Sequence, residues 1–184
     1  MAEIFLVTGG ARSGKSTFAE KLALKFGNGR AAYIATAQIF DSEMAYRVNL
    51  HKKRRGANWL TFESPFNADK SITLAAKNFK AILFDCVTIY LSNFICNEDL
   101  DDEKIFLKFE KLLDDLINAA KNSTAKVIFV SNEVGSGIVP ENKLARIFRD
   151  LAGLANQKIA AQAEKVFLTV AGYAIDIKKF GEKI

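Results

Sequence analysis

Gly9-Gly10-Ala11-Arg12-Ser13-Gly14-Lys15-Ser16 fits the pattern Gly-x-x-x-x-Gly-Lys-Ser once in the chain, between a short apolar run and a helical stretch. The run before it, Ile4-Phe5-Leu6-Val7, reads as a buried strand. The stretch after it, Thr17 to Phe26, reads as a helix. Strand, glycine loop and helix are the context in which this pattern forms a phosphate cradle. The glycines let the backbone turn sharply and aim its N–H groups at anionic oxygens, and the following helix N-terminus adds dipole charge. In such a loop Lys15 reaches the β- and γ-phosphates and Ser16 is a magnesium ligand.

The same kind of apolar run recurs at Ala31–Ala35, Ala81–Asp85, Val127–Val130 and Val166–Val170. These runs are continuous rather than alternating, so both faces need cover, which means a mostly parallel sheet between helix layers. Helices are expected over Ser42–Arg55, over Asp101–Ala120, and from beyond Pro140 toward Glu164. In the second of these, Ile105, Phe109, Leu112, Leu113, Leu116 and Ile117 form the apolar stripe. The tail from Gly172 is polar and reads as an edge or a loose end. The fold class expected is α/β, a P-loop nucleoside triphosphate hydrolase-like (RecA-like) domain over 1–184. Strand order is not readable from these runs. In an open parallel sheet the binding loops gather at the strands' carboxyl ends. That would bring together Gly9–Ser16, Thr36–Asp41, Asp85–Asn93 and Ser131–Pro140.

Composition narrows the class. With 26 basic and 21 acidic residues the net charge is +5, which suits anionic substrates without requiring a nucleic acid. Lysines alternate with acids except around His51, and no basic-aromatic stripe of the RNA-binding kind appears, so a nucleic-acid module is disfavoured. The first apolar run is too short for a membrane span or a signal-peptide core. Two cysteines, Cys86 and Cys96, make neither a disulfide framework nor a metal set. A cytoplasmic protein without membrane insertion is expected.

Beyond the loop, Asp85 ends an apolar strand, where an acid holds magnesium opposite Ser16 or simply caps a turn. Thr88 and Asn93 follow as candidates for substrate contact or for the layer of residues that supports it. His51, the single histidine, shares a helical face with Arg47 and Arg55 at spacings of four. Three readings stay open. The histidine donates to a phosphate, or attacks phosphorus with the arginines offsetting developing charge, or belongs to a solvated basic helix. Ser131–Pro140 has two glycines and a proline at a strand end. Within it Asn132 and Glu133 are candidates for a substrate hydroxyl or the magnesium surroundings, or for a plain solvated turn.

Taken together, these residues resemble the bifunctional adenosylcobinamide kinase / adenosylcobinamide-phosphate guanylyltransferase family of cobalamin biosynthesis. The likeness runs over essentially the whole chain. It is carried by Val7–Ser16, by Tyr33-Ile34-Ala35-Thr36-Ala37, and by the spaced set Asp41, Glu43, Met44, Arg47, His51, Arg55, Trp59, Thr61, Glu63 and Pro65. Asp85-Cys86-Val87-Thr88 with Leu91-Ser92-Asn93 continue it, as do Val130–Pro140, Arg146, Phe148-Arg149-Asp150 and Asn156-Gln157. Gly56 stands where the family often has proline, Tyr90 where tryptophan is common, and Tyr173-Ala174 in place of a Gly-x-Pro ending.

The resemblance implies two reactions. ATP or GTP phosphorylates the aminopropanol hydroxyl of adenosylcobinamide, with Gly9 through Ser16 on the phosphates and Mg2+ between Ser16 and Asp85. GMP is then transferred from GTP through a covalent guanylyl-histidine at His51, giving adenosylcobinamide-GDP. Thr36, Arg47, Arg55 and Glu63 join the nucleotide-binding set by the same resemblance. A homo-oligomer, a trimer by family likeness, is implied too. A small-metabolite kinase of the same fold without guanylyl transfer is the alternative.

Overall fold

The computed structural model describes residues 3–38, 56–97 and 102–182. The expected helix over Ser42–Arg55, with Arg47, His51 and Arg55, lies outside the described residues.

Seven strands form one sheet in the order β3-β2-β4-β5-β1-β6-β7. They are β1 (Ile4–Gly9), β2 (Ala31–Ala35), β3 (Trp59–Glu63), β4 (Ala81–Asp85), β5 (Lys126–Asn132), β6 (Lys165–Val170) and β7 (Tyr173–Asp176). All neighbours pair in parallel except β6 with β7. The five apolar runs are the five central strands; β1, β2, β4 and β5 are almost all buried because both faces are covered, while β6, next to the edge, buries only Val166 and Thr169.

Cover is unequal on the two faces. Phe5, Val7, Tyr33, Leu83, Ile128 and Val130 point to the side packed by Ala19 and Ala23 of α1 (Lys15–Phe26). Ile4, Leu6, Ile34, Ile82, Phe84, Val127 and Phe129 point to the opposite side. There they meet α2 (Ala68–Ala75), α3 (Val87–Cys96), α4 (Asp102–Lys121) and α5 (Lys143–Gln162). This alternation is the two-residue period of a strand written into two cores. Most of the α4 stripe is as expected, with Ile105, Phe109, Leu113, Leu116 and Ile117 buried.

Two expectations are corrected, and a third is narrowed. The segment after Asp85 is not a loop to Asn93, because α3 starts at Val87. The phosphate loop ends sooner than the pattern does, since Lys15 and Ser16 already form the first turn of α1. Of the two readings of the tail, the edge is the one seen. It folds back as antiparallel β7 with Tyr173 and Ile175 exposed, and a short 3-10 turn, Ile177–Lys179, follows.

Among the described residues no helix is long and apolar enough to cross a membrane.

Candidate active site at the carboxyl ends of the strands

Chain path and sheet order create a crevice at the end of β1. After β1 the chain moves to one side, with α1 crossing β5 and β4 on one face. After β5 it returns across β1 on the other face through α5, and continues outward into β6. The connections from the adjacent strands β1 and β5 thus run in opposite directions, which opens a ligand crevice beyond their carboxyl ends.

The Gly9–Ser16 loop fills the rim of that crevice. Gly14 has φ 96°, a left-handed conformation that suits glycine, and it serves as N-cap of α1. No side chain caps this helix, and its first turn holds no acid. By helix geometry the N–H groups of Lys15 and Ser16 have no carbonyl within the helix, so they favour an anion there. Lys15 is half-buried, and its Nζ donates to Gly10 O at 3.1 Å, folding the charge over the loop.

The loop is clamped to β6. Thr169 Oγ1 donates to Thr8 O at 3.0 Å and shares a 2.8 Å bond with Ser13 Oγ. A Cβ on Gly9 would collide with Thr169 Oγ1 and the Thr169 carbonyl, and would lie 2.8 Å from Ser13 Oγ. The Thr169 carbonyl cannot swing aside, because it is backbone and β1 and β6 are neighbouring strands of the sheet. Gly9→Ala is therefore expected to cost about 3 kcal/mol of stability, the upper part of the range for overpacking. Urea unfolding checks this, and a variant with the parent midpoint would contradict the clamp.

The other strand ends are tied to one another by side chains, and to this loop by the backbone of Glu133. Asp85, at the end of β4, is separated from β1 by β5, so its backbone lies roughly 10 Å from that of Gly9. Tyr33 Oη donates to Asp85 Oδ2 at 2.9 Å, which fixes the carboxylate. Thr36 is buried. Its Oγ1 accepts from Cys86 N at 2.7 Å and donates to Cys86 O at 3.0 Å. Asn93 is buried in α3 and donates to Thr36 O at 2.7 Å and Pro65 O at 3.1 Å. Asn132 Nδ2 donates to Thr88 Oγ1 at 2.9 Å, joining the end of β5 to the start of α3. Glu133 N–H donates to Gly9 O at 3.0 Å, and its exposed carboxylate accepts from Gly135 N–H at 2.6 Å.

The described parts of the four expected segments lie at neighbouring strand ends, but their members play different parts. Lys15, Ser16, Asp85 and Glu133 present polar groups at the crevice. Thr36, Thr88 and Asn93 are buried and brace the strand ends from behind the crevice. Glu63 ends β3 at the sheet's far edge, four strands from β1 and roughly 19 Å away, so it does not meet the loop within one chain. Arg149, one of the residues that carry the family resemblance, lies on α5. Its Nη2 donates to Gly135 O at 2.6 Å and steadies the turn that carries Glu133.

Cys86 lies between the crevice residues and the core. Burial pushes its thiol up from the ordinary 9.0 to about 11, with the Asp85 charge adding to the rise and Thr88 and Lys15 opposing it. A group whose folded pKa is raised stabilises the fold fully below its unfolded value and loses that contribution between about pH 9 and about pH 11. At pH 8 the Cys86 thiol is protonated and enclosed, whereas Cys96 is exposed. A disulfide reagent should thus titrate one fast thiol per native chain and two after unfolding. Two fast thiols in the native protein would contradict this burial.

Among the described residues no cluster of three or more His, Cys, Asp or Glu could hold a metal by itself. The oxygen donors Ser16 and Asp85 suit a hard cation that keeps several waters and takes its remaining ligands from substrate phosphates, as magnesium does.

An α/β domain with a mostly parallel sheet and a glycine loop leading into an uncapped helix is the class this geometry defines. The family model for cobinamide kinase / cobinamide phosphate guanyltransferase matches residues 5–177, and the chain belongs to that family of bifunctional enzymes. It is 45% identical to the bifunctional adenosylcobalamin biosynthesis protein CobU of Salmonella typhimurium, covering 95% of this chain and 99% of that one. It is 42% identical to CobU of Escherichia coli, over 95% and 99% of the two chains. With CobP of Pseudomonas aeruginosa the identity is 39%, over 94% and 96%. Solved structures give looser likenesses. The flagellar accessory protein FlaH of Methanocaldococcus jannaschii superposes with a TM-score of 0.47 at 16% identity, over 94% of this chain and 74% of that one. The RadB recombinase superposes with 0.48 at 17%, over 90% and 73%.

Proposed function

We propose that this chain is a P-loop kinase and nucleotidyltransferase that converts adenosylcobinamide to adenosylcobinamide-GDP in two steps. The carrying observation is the Gly9–Ser16 loop. It lies over an uncapped helix N-terminus with Lys15 folded across it and Asp85 at a nearby strand end, in a chain of this family.

In the first step the triphosphate of ATP or GTP lies in the loop. Backbone N–H groups and Lys15 hold its oxygens, and charge growing on the β–γ bridging oxygen meets Lys15 and the helix dipole. The aminopropanol hydroxyl attacks the γ-phosphorus, the bridging bond breaks, the nucleoside diphosphate leaves, and the hydroxyl proton is lost to solvent or a base. Ser16 and Asp85 would hold Mg2+, which neutralises phosphate charge when bound. Asp85 keeps its orientation through Tyr33, and the Thr36–Cys86 brace holds the strand ends in register. Glu133 carries a fixed carboxylate on the opposite flank, suited to a substrate hydroxyl.

In the second step His51 attacks the α-phosphorus of GTP and pyrophosphate leaves, with Arg47 and Arg55 offsetting its charge. The phosphate of adenosylcobinamide-phosphate then attacks the guanylyl-histidine and frees the imidazole. Splitting one displacement in two gives this half ping-pong kinetics. The enzyme works in the cytoplasm, consistent with its free cysteines, and as a homotrimer.

The test is product analysis by mass. Adenosylcobinamide with ATP and magnesium should gain one phosphate, and GTP added afterwards should extend it to the GDP form. Phosphorylation without extension would leave only a kinase, and neither product would overturn the proposal.

A further inference from the structure

We infer that Thr169 is a positioning residue for phosphate binding, whose hydroxyl holds the Gly9–Ser16 loop in the shape that takes a triphosphate. This rests on that loop being the triphosphate site. A cradle of backbone N–H groups offers an anion a conformation rather than a side chain. Here that conformation carries strain. Arg12 sits at φ 58° and Gly14 at φ 96°, both left-handed, and only the second is a glycine. A non-glycine residue stays in that region when its surroundings over-determine it.

The surroundings act on the residue between those two. Ser13 Oγ lies 2.8 Å from Thr169 Oγ1, and the Ser13 carbonyl accepts from Gly172 N–H at 2.9 Å. Both partners belong to β6 and the turn after it. Within the loop, Ser13 N–H reaches Gly10 O by a longer bond of 3.3 Å. Alternation along β6 puts Thr169 on the face of Phe167, which packs against Phe18 of α1, so the hydroxyl lies on the loop's side of the sheet.

The direction of the bonds follows from proton count. A hydroxyl has one proton to give. That of Thr169 goes to Thr8 O at 3.0 Å, so in the 2.8 Å contact Ser13 is the donor. The chain runs from Ser13 O–H to Thr169 Oγ1, and from Thr169 O–H to Thr8 O in β1. Ser13 and Thr169 are both buried, which shields these bonds from competing water. The Ser13 proton is thereby committed to Thr169 and serves the loop's shape, leaving phosphate oxygens to the backbone N–H groups and Lys15. Without the Thr169 hydroxyl, the Ser13 proton and Thr8 O both lose a buried partner, and Arg12 loses one of the two ties that β6 and its turn place on its neighbour.

The experiment measures affinity of the full chain with magnesium for a non-hydrolysable ATP analogue and for inorganic tripolyphosphate, alongside urea unfolding. The variants are Thr169→Val, Thr169→Ser, Ser13→Ala and the double variant Ser13→Ala/Thr169→Val. Thr169→Val should weaken both ligands by a common factor of about 5- to 50-fold, because only phosphate contacts depend on it. Thr169→Ser keeps the hydroxyl and should bind within about twofold of the parent. The double variant should bind no more than about twofold worse than Thr169→Val, since both changes cut one chain. If Thr169→Val does not fold, Ser13→Ala decides, because it leaves the Thr169–Thr8 bond in place. It should lose affinity about 3-fold or more, and parent affinity there would overturn the proposal. So would parent affinity in folded Thr169→Val at a lowered unfolding midpoint, equal losses in Thr169→Val and Thr169→Ser, or additive losses in the double variant. Lys15→Ala separates the underlying reading. If it binds both ligands as the parent does, the loop is not the triphosphate site, and the positioning role falls with it.

Discussion

Lys15→Ala lowers the rate of phosphoryl transfer to adenosylcobinamide by about 100- to 1000-fold, the usual cost of removing one oriented donor from a developing oxyanion. The ammonium is the only side-chain cation described in the first turn of α1, and it already rests on the loop through Gly10 O. That bond is to a half-exposed carbonyl at the rim, so its loss leaves the sheet and both cores intact, and the circular dichroism spectrum and unfolding midpoint should match the parent. The loss should fall mainly on kcat, because the bridging oxygen gains its charge in the transition state. A variant that loses only affinity, with kcat preserved, would mean that Lys15 binds ground-state phosphate and does no more.

His51→Ala abolishes guanylyl transfer, by about 10 000-fold or more, as removal of a covalent nucleophile does. Phosphorylation persists, because no step of the kinase half passes through the histidine. The pair of variants thus separates the two activities on one chain. Exchange of labelled pyrophosphate into GTP, which needs no corrinoid, should be present in the parent and in Lys15→Ala, and absent in His51→Ala. Residual exchange in His51→Ala at a sizeable fraction of the parent rate would mean that the histidine only orients phosphate.

Much of the scaffold is legible in the sequence for one physical reason. Strands covered on both faces become uninterrupted apolar runs, and Ile4–Val7, Ala81–Phe84 and Val127–Val130 are such runs. The glycine loop is legible because its backbone demands particular residues. What escapes has a physical cause in each case. Trp59–Glu63 is an edge strand with Leu60 half-exposed, so it lacks the run that marks its neighbours. The helix Val87–Cys96 buries Val87, Tyr90, Leu91 and Ile95, leaving too narrow a polar face to show a period. Tyr173–Asp176 is an exposed antiparallel edge whose partner is known only once the turn is seen.

The site is legible in kind rather than in role. Thr36, Thr88, Asn93 and Asn132 were recognisable as a polar set beside strand ends. Only tertiary hydrogen bonds reveal that the first three brace Cys86, Pro65 and one another's segments rather than face the crevice. Arg149 is similar, since its contact with Gly135 crosses from a helix to a loop fourteen residues earlier. Polar residues that hold backbone and polar residues that hold ligand have the same composition, and burial alone separates them.

The central claim is that one chain carries both a phosphate-loop kinase and a covalent guanylyl carrier. Incubation with magnesium and GTP labelled on the α-phosphate, followed by denaturation and peptide mapping, tests it most directly. The account predicts acid-labile, base-stable label on His51, absent from His51→Ala and discharged by adenosylcobinamide-phosphate into the corrinoid product. Folded protein that binds GTP, carries no label and still forms adenosylcobinamide-GDP would contradict it.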